Sequence, residues 1–379
     1  MRDFFYGNFR SKRNFKYKLY ILNKNYGIIK KNLCIRILGV KSKMRIVVDG
    51  MGGDRGSEEV IKGIVLALEE MPRVEITVVG KEEILKKALS KHKYDKNRLN
   101  IVNADEVIEM TDEPVSAVRK KKNSSMNVAL ELVKNGEGDA FVSAGNTGAL
   151  ISASQLKLRR IKGVLRPAIA TVFPAKGKNI VLMDVGANAD TKPEFINQFA
   201  VIGCKFAEEI LHRKNPTAAL LNIGSEEGKG NELTREAYNL LKENKNINFA
   251  GNIESRDMMS GKVDVVVTDG FTGNMVLKTS EGVAKYIFEC LKEEIKGSFL
   301  AKIGIFFMMP VLKKLKKRMD SSEYGGALFL GLNGVSIKAH GNSDAVGIKN
   351  AVRVANEFAE NKFVEKLKEM ISVQEEEEC

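Results

Sequence analysis

The chain has 379 residues, 44% hydrophobic and 29% charged, an ordinary globular composition with room for one large α/β domain or two smaller ones. Its net charge of +13 sits mostly at one end: residues 1–43 hold twelve Lys/Arg against Asp3 alone, so the remainder is nearly balanced and does not read as a nucleic-acid binder. Four scattered cysteines without a C-x-x-C, and three histidines, argue against a zinc site or a disulfide framework; no apolar run reaches the roughly 18 residues of a spanning helix, and the chain reads as reduced and cytosolic.

Residues 1–43 also carry eight aromatics, a mixture that suits RNA contact. They lack periodicity, caps and a signal-peptide h-region, so they read better as a dispensable extension, disordered or translated from an upstream start. A clean strand, MRIVVDG, opens at Met44. From there strands are predicted at 45–49, 74–79, 99–103, 139–143, 168–173, 179–184, 217–222, 263–268 and 334–338. Helices are predicted at 57–71, 82–91, 125–135, 147–158, 193–212, 231–243, 274–296 and 344–361, and EEEE at 375–378 reads as a solvated tail. The alternation predicts a parallel or mostly parallel sheet covered on both faces, in one α/β domain over 44–379.

Ligands in such sheets bind where strand ends meet helix N-termini. Small and polar residues mark several of these places: DGMGGD at 49–54, SAGNTG at 143–148, DVGANAD at 184–190, NIGS at 222–225 and DGFTGN at 269–274. The dinucleotide fingerprint fails at 50–56, where Arg55 takes the third glycine's place. GSEEGKG at 224–230 is one residue too short for a P-loop and has Gly230 where the Ser/Thr belongs. No G-x-S-x-G elbow occurs. Cys204 and Cys290 fall inside predicted helices and read as core thiols.

Residues 298–320 stand apart. From Phe299 to Leu312 only Lys302 is charged, with Leu300, Ile303, Phe306 and Phe307 among the apolar positions; Lys313, Lys314, Lys316, Lys317 and Arg318 follow. The segment, part of an excursion at about 297–320, reads as a core or dimer-interface helix, or as an interfacial anchor on an anionic membrane.

Seven stretches in order, MRIVVDGMGGD (44–54), FVSAGNTGAL (141–150), RPAIATVFP (166–174), LMDVGANAD (182–190), LLNIGSEEGKGNELTREAY (220–238), VTDGFTGNMVLKTSEG (267–282) and YGGALFLGLNGVSIKAHGNSDA (324–345), resemble bacterial phosphate acyltransferase. The resemblance runs from Met44 to about residue 362. It implies a three-layer α/β/α fold like that of isocitrate and isopropylmalate dehydrogenases, a homodimer, and peripheral association with the inner face of the membrane. It implies transfer of a long-chain acyl group from acyl carrier protein to inorganic phosphate, the product feeding a membrane glycerol-3-phosphate acyltransferase. A coenzyme A-dependent phosphate acetyltransferase is the alternative.

The chemistry needs no cofactor. Phosphate is partly a dianion near neutral pH, and a thiol leaving group has a pKa of about 8.5. The protein has to position the reactants and stabilise an oxyanion. On this reading Gly270, Thr272, Gly273 and Asn274, with Lys278, form part of a phosphate cradle. Gly145, Asn146 and Thr147 donate to phosphate or the oxyanion. Asp184, Asn188 and Asp190 order the loops or touch the pantetheine arm. His340 protonates the leaving thiolate or serves only its own loop. Arg119–Lys122, Arg159, Arg160, Lys162 and Arg166 are candidates for docking an acidic carrier protein.

Overall fold

The computed structural model describes residues 43–297, 299–319 and 325–377, so the expected N-terminal extension lies outside the described residues. In chain order come β1 (Met44–Asp49), α1 (Gly56–Glu70), β2 (Val74–Gly80), α2 (Glu82–Leu89), β3 (Leu99–Asn103), α3 (Pro114–Lys120), α4 (Ser125–Lys134), β4 (Ala140–Ser143) and α5 (Thr147–Leu158). The hairpin strands β5 (Ala168–Ala175) and β6 (Lys178–Met183) follow, then α6 (Pro193–Glu209), β7 (Thr217–Asn222), α7 (Glu232–Glu243), β8 (Asn248–Glu254) and β9 (Val265–Val267). The chain continues through α8 (Gly270–Gly297), α9 (Phe299–Met319), β10 (Ala327–Leu330), β11 (Val335–Lys338), α10 (Ala345–Glu360) and α11 (Phe363–Glu377).

The strands of the described residues form one sheet in the order β3-β2-β1-β4-β11-β10-β5-β6-β9-β7-β8. The first five pair in parallel, as do β6, β9, β7 and β8. Between these blocks β10 and β5 introduce three antiparallel pairings, so the second block runs opposite to the first. The sheet is mostly parallel, as its alternating sequence predicts, with an antiparallel seam that the sequence reading missed. One cause is the Lys176-Gly177 turn: Ala175 pairs with Lys178 across it, and Gly177 supplies the positive φ of a two-residue hairpin.

Alternating strand residues fill both faces, giving the three-layer α/β/α class expected. Ile46, Val48, Val181 and Val265 pack beneath α1, α6, α10 and α11; Val47, Phe141, Ile169 and Leu182 pack beneath α4 and α5. Helix α11 was not expected: only EEEE at 375–378 was read, as a solvated tail. It belongs to the fold because Phe363, Leu367 and Ile371, four apart, are buried on one stripe, with Phe363 5.0 Å from the Phe358 ring. Strand β8 was also missed: it is a half-exposed edge strand with Gly251 at positive φ. Helix α3 escaped because it is only seven residues long, although Glu113 caps it and Pro114 opens it.

The apolar-basic excursion is helical, and α9 touches α8, which it follows directly. Of the side chains expected to anchor or dimerise, those of Phe299, Leu300, Ile303, Phe306, Lys316, Lys317 and Arg318 lie outside the described residues. Phe307, Lys313 and Lys314 are exposed. Among the described residues no helix is long and apolar enough to cross a membrane.

Candidate active site

Across the seam the strands are offset: Lys338, ending β11, and Thr171 both pair with Ala327, and Met183, ending β6, pairs with Ala170, so the carboxyl ends of the oppositely running blocks meet at one cleft of about 380 Å³. From the first block come Asp54 after β1, Thr147 after β4, and Lys338 to Gly341 at the end of β11. From the second come Val185 and Gly186 after β6, and Asn274, Leu277, Lys278 and Glu281 on α8. Ile169, Thr171 and Ala327 of the seam lie against it.

Lys338 is a cleft-lining residue that the sequence reading passed over. It is buried at the end of an apolar strand, and its Nζ donates to the carbonyls of Ala339 (2.6 Å) and Ala144 (3.2 Å), leaving a third N–H for the cleft. Burial lowers its pKa to about 8, against the pull of Asp54 and Asp49, with Lys278 adding to the depression. The available signal was a lone cation closing an otherwise apolar strand, two residues before His340.

Asp184 organises the opposite wall. It is fully buried and accepts five N–H donors: the amides of Ile169 (3.0 Å), Gly186 (3.1 Å), Ala187 (3.0 Å) and Asn188 (2.8 Å), and Asn188 Nδ2 (2.9 Å). Burial pushes its pKa up while these donors favour the carboxylate. Asn188 Nδ2 also reaches the Pro167 carbonyl at 2.9 Å. Asp184 and Asn188 thus order the loop, while Asp190 is exposed and does not line the cleft.

The start of α8 is a packing joint. The Gly270 amide donates to the Asn188 carbonyl (2.8 Å), Thr272 N to Asp269 Oδ1 (2.8 Å), and Gly273 N to the Asp269 carbonyl (3.0 Å). A Cβ on Gly270 would meet the Asn188 carbonyl oxygen at 2.6 Å; one on Gly273 would meet that of Asp184 at 1.9 Å. The amides of Gly270, Thr272 and Gly273, expected in the phosphate cradle, already have partners, and these residues do not line the cleft. Asn274 and Lys278, one and two turns on, do line it.

Much the same applies at α5. Asn146 caps the helix, accepting from Ala149 N at 3.0 Å, and its Nδ2 holds the Met110 carbonyl at 3.0 Å and that of Asp112 at 3.3 Å. It is buried and committed to structure rather than aimed at a reacting atom. Gly145 is likewise occupied, its amide on Ser143 Oγ at 3.0 Å, and Ser143 Oγ donates to Asp49 at 2.8 Å. Thr147, the first residue of α5, faces the cleft. So does the exposed His340, whose Nδ1 accepts the Asn342 amide at 3.1 Å. That bond leaves the neutral ring's proton on Nε2.

A family model described as "Fatty acid synthesis protein" matches residues 44–366. A phosphate acyltransferase from Fusobacterium nucleatum subsp. nucleatum is 57% identical over 332 residues, covering 87% of this chain and 100% of that protein. A putative phosphate acyltransferase from Clostridium perfringens is 51% identical over 329 residues, covering 87% and 97%. The chain belongs to the phosphate acyltransferase family. As a family member it is an acyltransferase. A phosphotransacetylase from Streptococcus pyogenes superposes with a TM-score of 0.56 at 17% identity, over 90% of this chain and 100% of that one. The EutD phosphotransacetylase from Staphylococcus aureus gives 0.54 at 15% identity, over 84% and 96%. These likenesses establish a shared fold.

Neither described thiol of this acyltransferase lines its cleft. Cys204 is buried under α6, and burial pushes its pKa up to about 12. Cys290 lies half-buried on α8. Of the candidate docking cations, Lys121 is tied to Asp112 at 2.5 Å and to the Val107 carbonyl at 2.8 Å. Arg160 holds the Leu165 carbonyl at 2.8 Å, and Arg166 lies 6.0 Å from the Phe195 ring centroid. Arg119, Lys120 and Lys122 are exposed, just beyond the loop whose Met110 lines the cleft.

Proposed function

We propose that this acyltransferase moves a long-chain acyl group from the thioester of acyl carrier protein to inorganic phosphate, supplying acyl phosphate for phospholipid synthesis. The observation that carries the reading is the pairing of Lys278 and Lys338 on one cleft, two cations from opposite blocks of the sheet. The phosphate dianion attacks the thioester carbon, the carbon–sulfur bond breaks, and the proton of the phosphate hydroxyl ends on the leaving thiolate, which the Nε2–H of His340 steadies by a hydrogen bond. Lys338, with a free N–H in a poorly solvated place, binds phosphate or the tetrahedral oxyanion. Lys278 and Asn274 bind the remaining phosphate oxygens. Direct attack needs no acyl-enzyme, which suits a cleft where the imidazole N–H is set to donate a hydrogen bond to the departing sulfur. Phosphate-dependent release of carrier-protein thiol is the test. The acetyl-coenzyme A alternative shares the fold of the phosphotransacetylases. An acetyl donor preferred over a long-chain one would favour it.

The acidic carrier protein docks on Arg119, Lys120 and Lys122, close enough for its arm to enter past Met110. The α8–α9 hairpin meets the anionic inner face of the membrane. Support comes from its exposed Phe307, Met308, Met309 and Val311, followed by exposed Lys313 and Lys314. There the product passes to a membrane acyltransferase acting on glycerol 3-phosphate. Exposed Val283, Tyr286 and Ile287 of α8 offer the surface for a homodimer.

A further inference from the structure

Beside the two-lysine cleft lies a second, apolar pocket of about 240 Å³. One wall is the tip of the β5–β6 hairpin, Val172 to Lys176; the other is α8 at Leu277, Ser280, Glu281 and Ala284, with Met259 at the rim. Leu277 and Glu281 line both spaces, so the two adjoin. Helix α8 therefore acts as a track. Its first turns present Asn274 and Lys278 to the cleft, and positions 277, 280, 281 and 284 face the hairpin. From Asn274 to Ala284 the helix rises about 15 Å.

We infer that this pocket holds the acyl chain of the donor, with the thioester lying among Asn274, Lys278 and Lys338. The inference rests on the acyl-thioester reading above. An acyl chain is the one apolar part of such a donor, and it leaves the reacting carbon as an extended tail. A pocket adjoining the reacting cleft, walled by Val172, Phe173, Pro174, Leu277, Ala284 and Met259, removes that tail from water. Each methylene it covers tightens binding roughly fourfold. An acetyl group does not extend far enough to gain from it. Ser280 and Ala284 line only the apolar pocket, so they set which chains fit without touching the chemistry.

The test is calorimetric binding of S-acyl-pantetheines from butyryl to palmitoyl, without phosphate, to the wild-type chain and to Ala284→Phe. Wild-type affinity rises steeply with chain length until the pocket is full. Ala284→Phe weakens the long-chain ligands by on the order of tenfold, the worth of about two buried methylenes, and leaves butyryl unchanged. If Ala284→Phe lowers the melting temperature, Ser280→Leu makes the same comparison from the adjacent turn. Affinity independent of chain length, or an equal loss at every length, overturns the inference. Failure of the transfer reading shows differently, as chain-length-dependent binding without phosphate-dependent thiol release.

Discussion

Lys338, closing β11, and Lys278, on α8, bring two ammonium groups to one cleft from opposite blocks of the sheet. The first is buried, the second exposed. Burial holds the Lys338 pKa near 8, so its proton is weakly held until an anion arrives. A bound phosphate repairs the lost solvation and raises that pKa again.

Burying this charge destabilises the fold in a pH-dependent way. The folded pKa of about 8 lies below the ordinary 10.5, so the unfolded chain binds more protons between these values. Stability from this group rises with pH across that window, and the full cost is present below about pH 8. Lys338→Met therefore raises the melting temperature at pH 7 while lowering kcat/KM on the order of a hundredfold. Thermal melts beside steady-state kinetics check both halves.

The same titration sets a rate limb. kcat/KM for phosphate falls as pH rises through about 8, where free Lys338 loses its proton. Lys338→Arg keeps a charge that does not titrate in this range. Its profile loses that limb even if its maximum is reduced, and an unmoved limb assigns the titration elsewhere.

Gly273→Ala tests the joint between the two loops. A methyl group there would lie 1.9 Å from the Asp184 carbonyl oxygen, so the start of α8 has to lift away. The expected cost is on the order of 3 kcal/mol, read by chemical denaturation. A wild-type midpoint contradicts the packing described here.

Asn146→Ala separates a cap from a catalyst. It costs about 1 kcal/mol of stability through loss of the α5 cap, plus the tether to the Met110 loop. Turnover at low temperature stays close to wild type. A large fall in kcat with unchanged stability would return Asn146 to the chemistry.

Much of the fold was legible because strand-helix alternation leaves a strong period in the apolar residues. The strand ends at Asp49, Ser143 and Met183 fell close to their expected places for that reason. The seam was less legible: β10 has only four residues, and its antiparallel pairing depends on distant partners. At the site, glycine loops drew attention to the right places but suggested the wrong contacts. Gly270 and Gly273 are small because backbone passes against them, a tertiary fact that a GFTGN stretch shares with real anion cradles. Asn146 illustrates the same ambiguity, since an amide suited to an oxyanion is also suited to a helix cap. Lys338 was hidden by its ordinary appearance in VSIKAHG; only burial distinguishes it from a surface lysine.

In the proposed reaction phosphate itself attacks the acyl thioester in the two-lysine cleft. The most direct measurement is release of carrier-protein thiol from palmitoyl-acyl carrier protein, with and without inorganic phosphate, by the wild type and Lys278→Ala. Release is expected to require phosphate, to yield one acyl phosphate per thiol, and to show a raised KM for phosphate in Lys278→Ala. Thiol release at the same rate without phosphate, or a Lys278→Ala enzyme with unchanged KM and kcat, would contradict that reaction.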